Sequence, residues 1–288
     1  MIEQSLYEHL KAQPELTDLL TTYNREPAIF NQEAPSDTDE LWSSVSQYAR
    51  IVFAVDLQGD PERVMGGTLV VDVSCHEEDP LPEEIEPVIR RLIHGYFFSN
   101  GTFTVAAQWK ISQPFTEPTD EVIGCTISFE LLGFPVLTTN APDVIGRLNE
   151  WTAQNFPGLH VINYDALPSS AWKPMGEESA VYWRLVQDNP AGWIPDTYHT
   201  IWRTATIRGH IFSEDISTAS TVSRDLIVAL YADKRLLKEE ETPIMVNRNN
   251  SQDTGADPLR TGQVTVEGTY GIIVYRGNDR TLDNINYQ

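Results

Sequence analysis

The apolar positions of this chain change period several times, and each change predicts an element. Ile2, Leu6 and Leu10 recur every fourth residue and predict an amphipathic helix. "AIFNQEAPSD" (28–37) reads as an extended segment carrying a proline. "QYARIVFAV" from Gln47 has the β-branched and aromatic content of a strand. "DLQGDPERVMGG" supplies a turn, and "TLVVDVSC" from Thr68 returns with Val71, Val73 and Cys75 on one side of a period-two pattern. "PVIRRLIHGYFF" from Pro87 reverts to helical spacing. Proline lacks the amide donor that a helix interior uses, so Pro82 and Pro87 are expected only in the first turn. Two strand-like runs, "TFTVAAQWKI" and "EVIGCTISFELLGF", close the series around a polar loop.

The same series is then written again, at offsets between 131 and 142 residues. Val144, Leu148 and Trp151 repeat the opening helix, with Asp143 placed to cap it. In "VINYDALPSSAW" (161–172), Ile162, Pro168 and Ser169 stand where Ile29, Pro35 and Ser36 stand in the first series. "ESAVYWRLV" from Glu178 and "TATIRGHI" from Thr204 repeat the two strands. "TVSRDLIVALYA" from Thr221 repeats the second helix, and Val222, Arg224, Leu226 and Ile227 coincide with Val88, Arg90, Leu92 and Ile93. Ser217 or Ser220 is the expected cap there. "PIMVNR" and "GQVTVEGTYGIIVYR" close the second series, with Val264, Val266, Tyr270 and Ile272 on Ile123, Cys125, Phe129 and Leu131. The order never changes, so the sequence predicts a tandem duplication, one domain over 1–139 and the next over 140–288. The largest difference is the second hairpin connection, "QDNPAGWIPDTYHTIWR" (187–203), which is longer and aromatic.

A chain of 288 residues has room for two ordinary domains, and 41% apolar residues supply their cores. The formal charge is −22, which repels a nucleic-acid backbone and suits solubility or basic partners. Residues 1–139 hold 7 basic and 23 acidic residues, net −16, whereas 140–288 hold 13 and 19, net −6. The uneven split suits two halves with different electrostatic roles, and acidic runs such as "HEEDPLPEEIEP" equally suit solvated loops. No apolar run approaches the roughly 20 residues of a membrane helix, and the N-terminus lacks a secretory pattern, so a soluble intracellular protein is expected. Cys75 and Cys125 lie in strand-like runs and read as buried thiols.

Candidate chemistry is sparse. His9, His76, His94, His160, His199 and His210 show no close ligand spacing, and only His199 and His210, flanking one strand, suggest a metal pair at all. Phosphate-loop, dinucleotide and nucleophile-elbow motifs are absent. Glu77, Glu78, Asp79, Glu83, Glu84 and Glu86 lack the residue order of a calcium loop and read as solvated acids at a helix N-terminus. Trp193, Tyr198 and Trp202 suggest a sugar platform or, in preference, a protein interface, because aromatic side chains anchor protein contacts. Trp172 joins that set because it has no counterpart in the first series. No catalytic constellation, metal site or cofactor motif stands out, so a structural or assembly component is expected rather than an enzyme.

The repeat unit, as carried by "SLYEHLKAQPELTDLL", "AIFNQEAPSD…QYARIVFAV", "GGTLVVDVSC…PVIRRLIHGYF" and "EVIGCTISFEL", resembles the tail-terminator or tail-completion proteins of long-tailed bacteriophages. The second copy departs in lacking the Pro-x-Leu segment of residues 14–16, and the family is usually single-domain. The resemblance implies an α+β fold, two similar domains, each a mainly antiparallel sheet with helices packed on one face. It implies a virion protein, assembled in the host cytoplasm, that forms a ring ending the tail tube and meeting the head. Its partners would be other copies of itself, as a hexamer or as a trimer with six pseudo-equivalent domains, together with tail-tube and sheath proteins and head-tail connector proteins. Genomic DNA would pass through without sequence-specific binding, and no membrane is involved. Expected contact parts are the connections Asp56–Gly67 and Gln187–Arg203 and the tail "GNDRTLDNINYQ". Rival readings are a neck, collar or head-completion component and, from another class, a tandem carbohydrate-binding module.

Overall fold

In the computed structural model, which describes residues 1–42, 47–60, 63–76, 80–101, 103–117, 121–136, 142–236 and 243–274, the opening apolar repeat forms helix α1 (Ile2–Lys11). It buries Ile2, Leu6 and Leu10 on one face. The Pro-x-Leu segment forms the single turn α2 (Pro14–Thr17), which buries Leu16. A small hairpin, β1 (Thr22–Tyr23) with β2 (Glu26–Pro27), leads to β3 (Ile29–Asn31). Then come β4 (Arg50–Asp60), β5 (Arg63–His76), α3 (Pro82–Ile93), β6 (Phe97–Ser99), β7 (Phe103–Glu117) and β8 (Val122–Pro135). The second half runs α4 (Val144–Asn155), β9 (Leu159–Val161), β10 (Ala171–Trp172), β11 (Ser179–Pro190), β12 (Thr200–Ser213) and α5 (Ile216–Asp233). It ends with β13 (Arg235–Leu236), β14 (Ile244–Val246), β15 (Ser251–Gln252) and β16 (Val264–Ile273). The chain is thus mixed α and β, built on two curled sheets.

The first sheet has the order β10-β6-β7-β8-β5-β4-β3. The second has β13-β14-β16-β12-β11-β9, with β15 also on β16. In the first, the inward row of β5 (Leu69, Val71, Val73, Cys75) and of β8 (Ile127, Phe129, Leu131) packs in one core with Ile85, Ile89 and Ile93 of α3 and Leu6 and Leu10 of α1. Each such side chain gains roughly 1.5–3 kcal/mol on leaving water. In the second, Trp183 of β11 lies across from Gly209 of β12, where a Cβ would stand only 2.5 Å from the indole. Its indole N–H donates to Thr152 Oγ1 of α4 at 3.0 Å.

The helical offsets read from the sequence hold in space. Ile2, Ser5, Leu6 and Leu10 are buried in α1, and Val144, Arg147, Leu148 and Thr152, each 142 residues on, are buried in α4. Between α3 and α5 the match is partial: Ile89 and Leu92 have buried counterparts in Ser223 and Leu226, whereas Ile93 is buried and its counterpart Ile227 is only partly so. The strand offsets hold only in parity. Val73 pairs with Cys125, yet their sequence counterparts Gly209 and Val266 do not pair, and Val266 sits opposite Ile207. A two-residue slip returns every side chain to the same face, so a period-two pattern cannot detect it.

Three local expectations are corrected. Helix α3 begins at Pro82, five residues before Pro87, because Leu81 takes the extended N-cap conformation and Ile85 is drawn into the core; Pro87 therefore lies inside the helix. The cap of α5 is Asp215, whose carboxylate accepts from Thr218 N–H at 2.8 Å, and Ser217 and Ser220 sit within the helix. The helix predicted to run through "HGYFF" stops at Ile93; Gly95 turns the chain with φ +80° and Phe97–Ser99 becomes β6. Asp143 does cap α4, accepting from Gly146 N–H at 3.0 Å.

The domain limits also differ from 1–139 and 140–288. One unit comprises Met1–Val136 together with His160–Gly176, and the other comprises Leu137–Leu159 and Glu177–Gln288. The chain enters the second unit, returns to the first and then leaves it again. Trp172, 5% exposed, pairs with Phe97 on β6, and their ring centroids lie 5.8 Å apart. Asn163, in the left-handed region at φ 65°, donates to Phe134 O at 2.5 Å and accepts from Thr104 Oγ1 at 3.1 Å. The rest of the β7 edge that β6 begins to cover is handled differently. Beyond Ala107 it has no outer strand among the described residues, and a bulge between Trp109 and Ile111 and the donor-less Pro114 blunt that edge against unwanted pairing.

Replacing Trp172 by alanine removes a buried aromatic anchor, so it is expected to destabilise the first unit by about 3–5 kcal/mol in urea titrations. Hydrogen exchange should then accelerate first in residues 160–176. Uniform acceleration across both units would mean that the returning segment is not separately anchored.

Candidate interaction surface

The long connection between β11 and β12 is an ordered aromatic hairpin. Its base is fixed by charge: Arg203 Nε donates to both oxygens of Asp188, at 3.0 and 2.9 Å, and its guanidinium also reaches Asp188 O at 2.5 Å. Tyr270, paired with Arg203 across β12 and β16, completes the cluster. Burial first, and the hydrogen bond to Asp188 second, push the Tyr270 hydroxyl up to about 12. Above the base, Ala191 N–H donates to Trp202 O at 2.8 Å, and Trp202 N–H donates to Asp196 Oδ1 at 2.8 Å. Thr197 and Thr200 close the tip through a 2.9 Å backbone bond. The His199 carbonyl accepts from Val274 N–H at 2.8 Å, tying the tip to the end of β16.

This scaffold presents Trp193 and Tyr198 to solvent, 66% and 60% exposed. Trp202 is half-buried on β12, where its backbone serves the loop. Trp172 is not part of this surface; it is consumed in the first unit's own sheet, which corrects its place among the expected interface residues. Of the other expected contact parts, the β4–β5 connection lies partly outside the described residues (61–62), and the tail 277–288 lies wholly outside them.

The histidine and carboxylate candidates disperse. His199 is exposed at the hairpin tip beside Tyr198, whereas His210 is buried further along β12 with Nδ1 2.7 Å from Pro258 O. Eleven residues of strand separate them by about 35 Å, too far for a shared ion. Glu77, Glu78 and Asp79 lie outside the described residues, and Glu86 is engaged by Ser112 at 2.6 Å and Arg90 at 3.7 Å. Cys75 and Cys125 are buried free thiols, and burial pushes the Cys125 thiol up.

Sequence reasoning missed a second feature, at the C-terminal end of α3 in the first unit. Pro87, Arg90, Arg91, His94, Trp109 and Lys173 line a hollow of about 410 Å³. Arg90 lies 5.0 Å from the Trp109 ring centroid, and Lys173 lies 5.6 Å from that of Tyr96 while donating to His94 O at 3.1 Å. His94 Nδ1 accepts from Trp109 N–H at 3.2 Å. Burial, then the charges of Lys173 and Arg90, hold the His94 imidazole below its ordinary value and so favour its neutral form. No sequence signal joins Lys173 to Arg90, because it arrives on the returning segment.

Exposed aromatic residues contribute little to a single chain's stability, so Trp193→Ala and Tyr198→Ala are each expected to change it by less than about 0.5 kcal/mol in urea titration. The base behaves otherwise. A raised tyrosine value stabilises the fold below the ordinary value near 10, and that contribution is lost as pH rises towards 12. Tyrosinate absorbance, read against Tyr270→Phe, should show this high midpoint, and Asp188→Asn should lower it. An unchanged midpoint would mean that the Asp188 hydrogen bond is not formed in solution. No protein-family model, curated protein or solved structure matches the chain.

Proposed function

We propose that this chain is a self-assembling structural subunit of the tail-terminator type, acting by binding rather than by catalysis. The observation that carries the reading is the repeated topology. The first unit orders its strands β3-β4-β5-β8-β7-β6 with β10 added beyond β6, and the second orders β9-β11-β12-β16-β14-β13 with β15 added on β16; α1 and α4 lead, and α3 and α5 follow the central hairpins. Two similar domains, each a mainly antiparallel sheet with helices packed on it, give one chain two ring-forming modules. The resemblance in the sequence supplies the kind of ring: one that ends a tail tube and meets the head.

Ending a polymer needs one face complementary to the last tube subunit and another that refuses a further one. Two modules that share a frame but differ in decoration suit that task. The first carries most of the negative charge, and the second carries the exposed Trp193 and Tyr198. A strongly acidic ring wall would let DNA pass rather than adhere. Repeated weak contacts around a closed ring add up to a tight assembly.

Light scattering on the purified chain, followed by negative-stain imaging, tests the reading. The expected species is a ring of six chains, or of three chains presenting six modules. A monomer that persists at high protein concentration, with or without tail tubes, would overturn it.

A further inference from the structure

We propose that copies of this chain join head to tail, the aromatic hairpin of one copy seating in the cation-lined hollow at the end of α3 in the next. The inference rests on the ring reading above and names the contact that would build it. Knob and socket lie in different units of the chain, so self-complementary pairing is not required. Each copy offers one knob and one socket, the heterologous arrangement, which closes into a ring where the rotation between neighbours permits.

The chemistry of the two parts matches. The knob shows Trp193 and Tyr198 on a hydrogen-bonded loop that also carries Asp196. Aromatic rings held on an ordered loop lose little freedom when they bind, and they are the side chains that most often dominate an interface. The socket offers what such rings take: the open part of Trp109, itself 37% exposed, and the cations Arg90, Arg91 and Lys173. A hollow of about 410 Å³ holds one indole with room for its surroundings.

Charge argues for a second copy as the occupant. The chain is at −22, and residues 1–139 contain only 7 lysines and arginines. Two of them converge on this hollow, and Lys173 is added by the returning segment. Arg91 pairs with Glu15 and Arg90 with Glu86, but among the described residues no carboxylate pairs with Lys173. A cationic hollow on an acidic surface draws the acidic surface of another copy and fixes its orientation.

A complementation experiment tests this. Trp193→Ala removes the knob and keeps the socket; the double variant R90E/K173E spoils the socket and keeps the knob. Each alone is expected to run as the 32.5 kDa monomer by light scattering. Mixed, they should give a species of twice the chain mass and nothing larger, because one intact knob and one intact socket remain between them. Circular dichroism checks that each variant is folded, and Trp109→Ala gives a second, uncharged lesion in the socket if the double variant is not. If the Trp193 variant is monomeric while both socket variants still form rings, the socket assignment is wrong and the ring reading survives. If the unaltered chain never assembles, the ring reading itself falls, and this inference with it.

Discussion

Both units depend on one constraint: a helix must cover the inward row of a long hairpin. In the first, Leu69, Val71, Val73 and Cys75 leave no polar position on their side of β5, and α3 answers with Ile85, Ile89 and Ile93. Everything else follows from keeping that face dry. The opening helix extends the cover, and α2 adds Leu16. In the second unit the cover is thinner, because α5 buries only Ser223, Leu226 and Leu230 while Ile216 and Val228 stay exposed. The large indole of Trp183 bulks out this sheet and reaches α4, and its neighbour across the strands is glycine because a Cβ there would stand 2.5 Å from the indole.

What was legible in the sequence was what repeats locally. The spacing of Ile2, Leu6 and Leu10 and of Val144 and Leu148 placed two helices and their buried faces, and Asp143 was a readable cap. Alternation in "TLVVDVSC" placed β5 and its inward side. What escaped was set by distant partners. Pairing register escaped because a two-residue slip leaves the pattern intact. Trp172 looked like a surface residue because the site that buries it, at Phe97, lies 75 positions earlier in the chain. The cap at Asp215 was passed over because the helix starts earlier than its apolar period does. The exposed aromatics of the hairpin were legible as interface candidates, but the cationic hollow was not, since its lining comes from an α-helix, a strand and the returning segment.

The electrostatics of the chain are concentrated rather than spread. Most acidic side chains among the described residues face water and keep the surface repulsive, while three cations are held in fixed settings: Arg203 locked on Asp188, Arg90 laid on Trp109, and Lys173 bound to the carbonyl of His94. An immobilised cation offers a specific direction of approach, whereas a mobile one is shared among many counter-ions. A chain with little positive charge and fixed positions for it can be generally repulsive and locally adhesive.

The return of His160–Gly176 to the first unit has a consequence for biosynthesis. The edge strand that shields β6 is made after the whole of α4, so the first sheet cannot be finished when its own stretch of 136 residues has left the ribosome. A nascent chain halted there would hold Phe97 and Phe98 under an incomplete edge. The two units are therefore bound in time as well as by the chain: translation must run well into the second before the first is sealed.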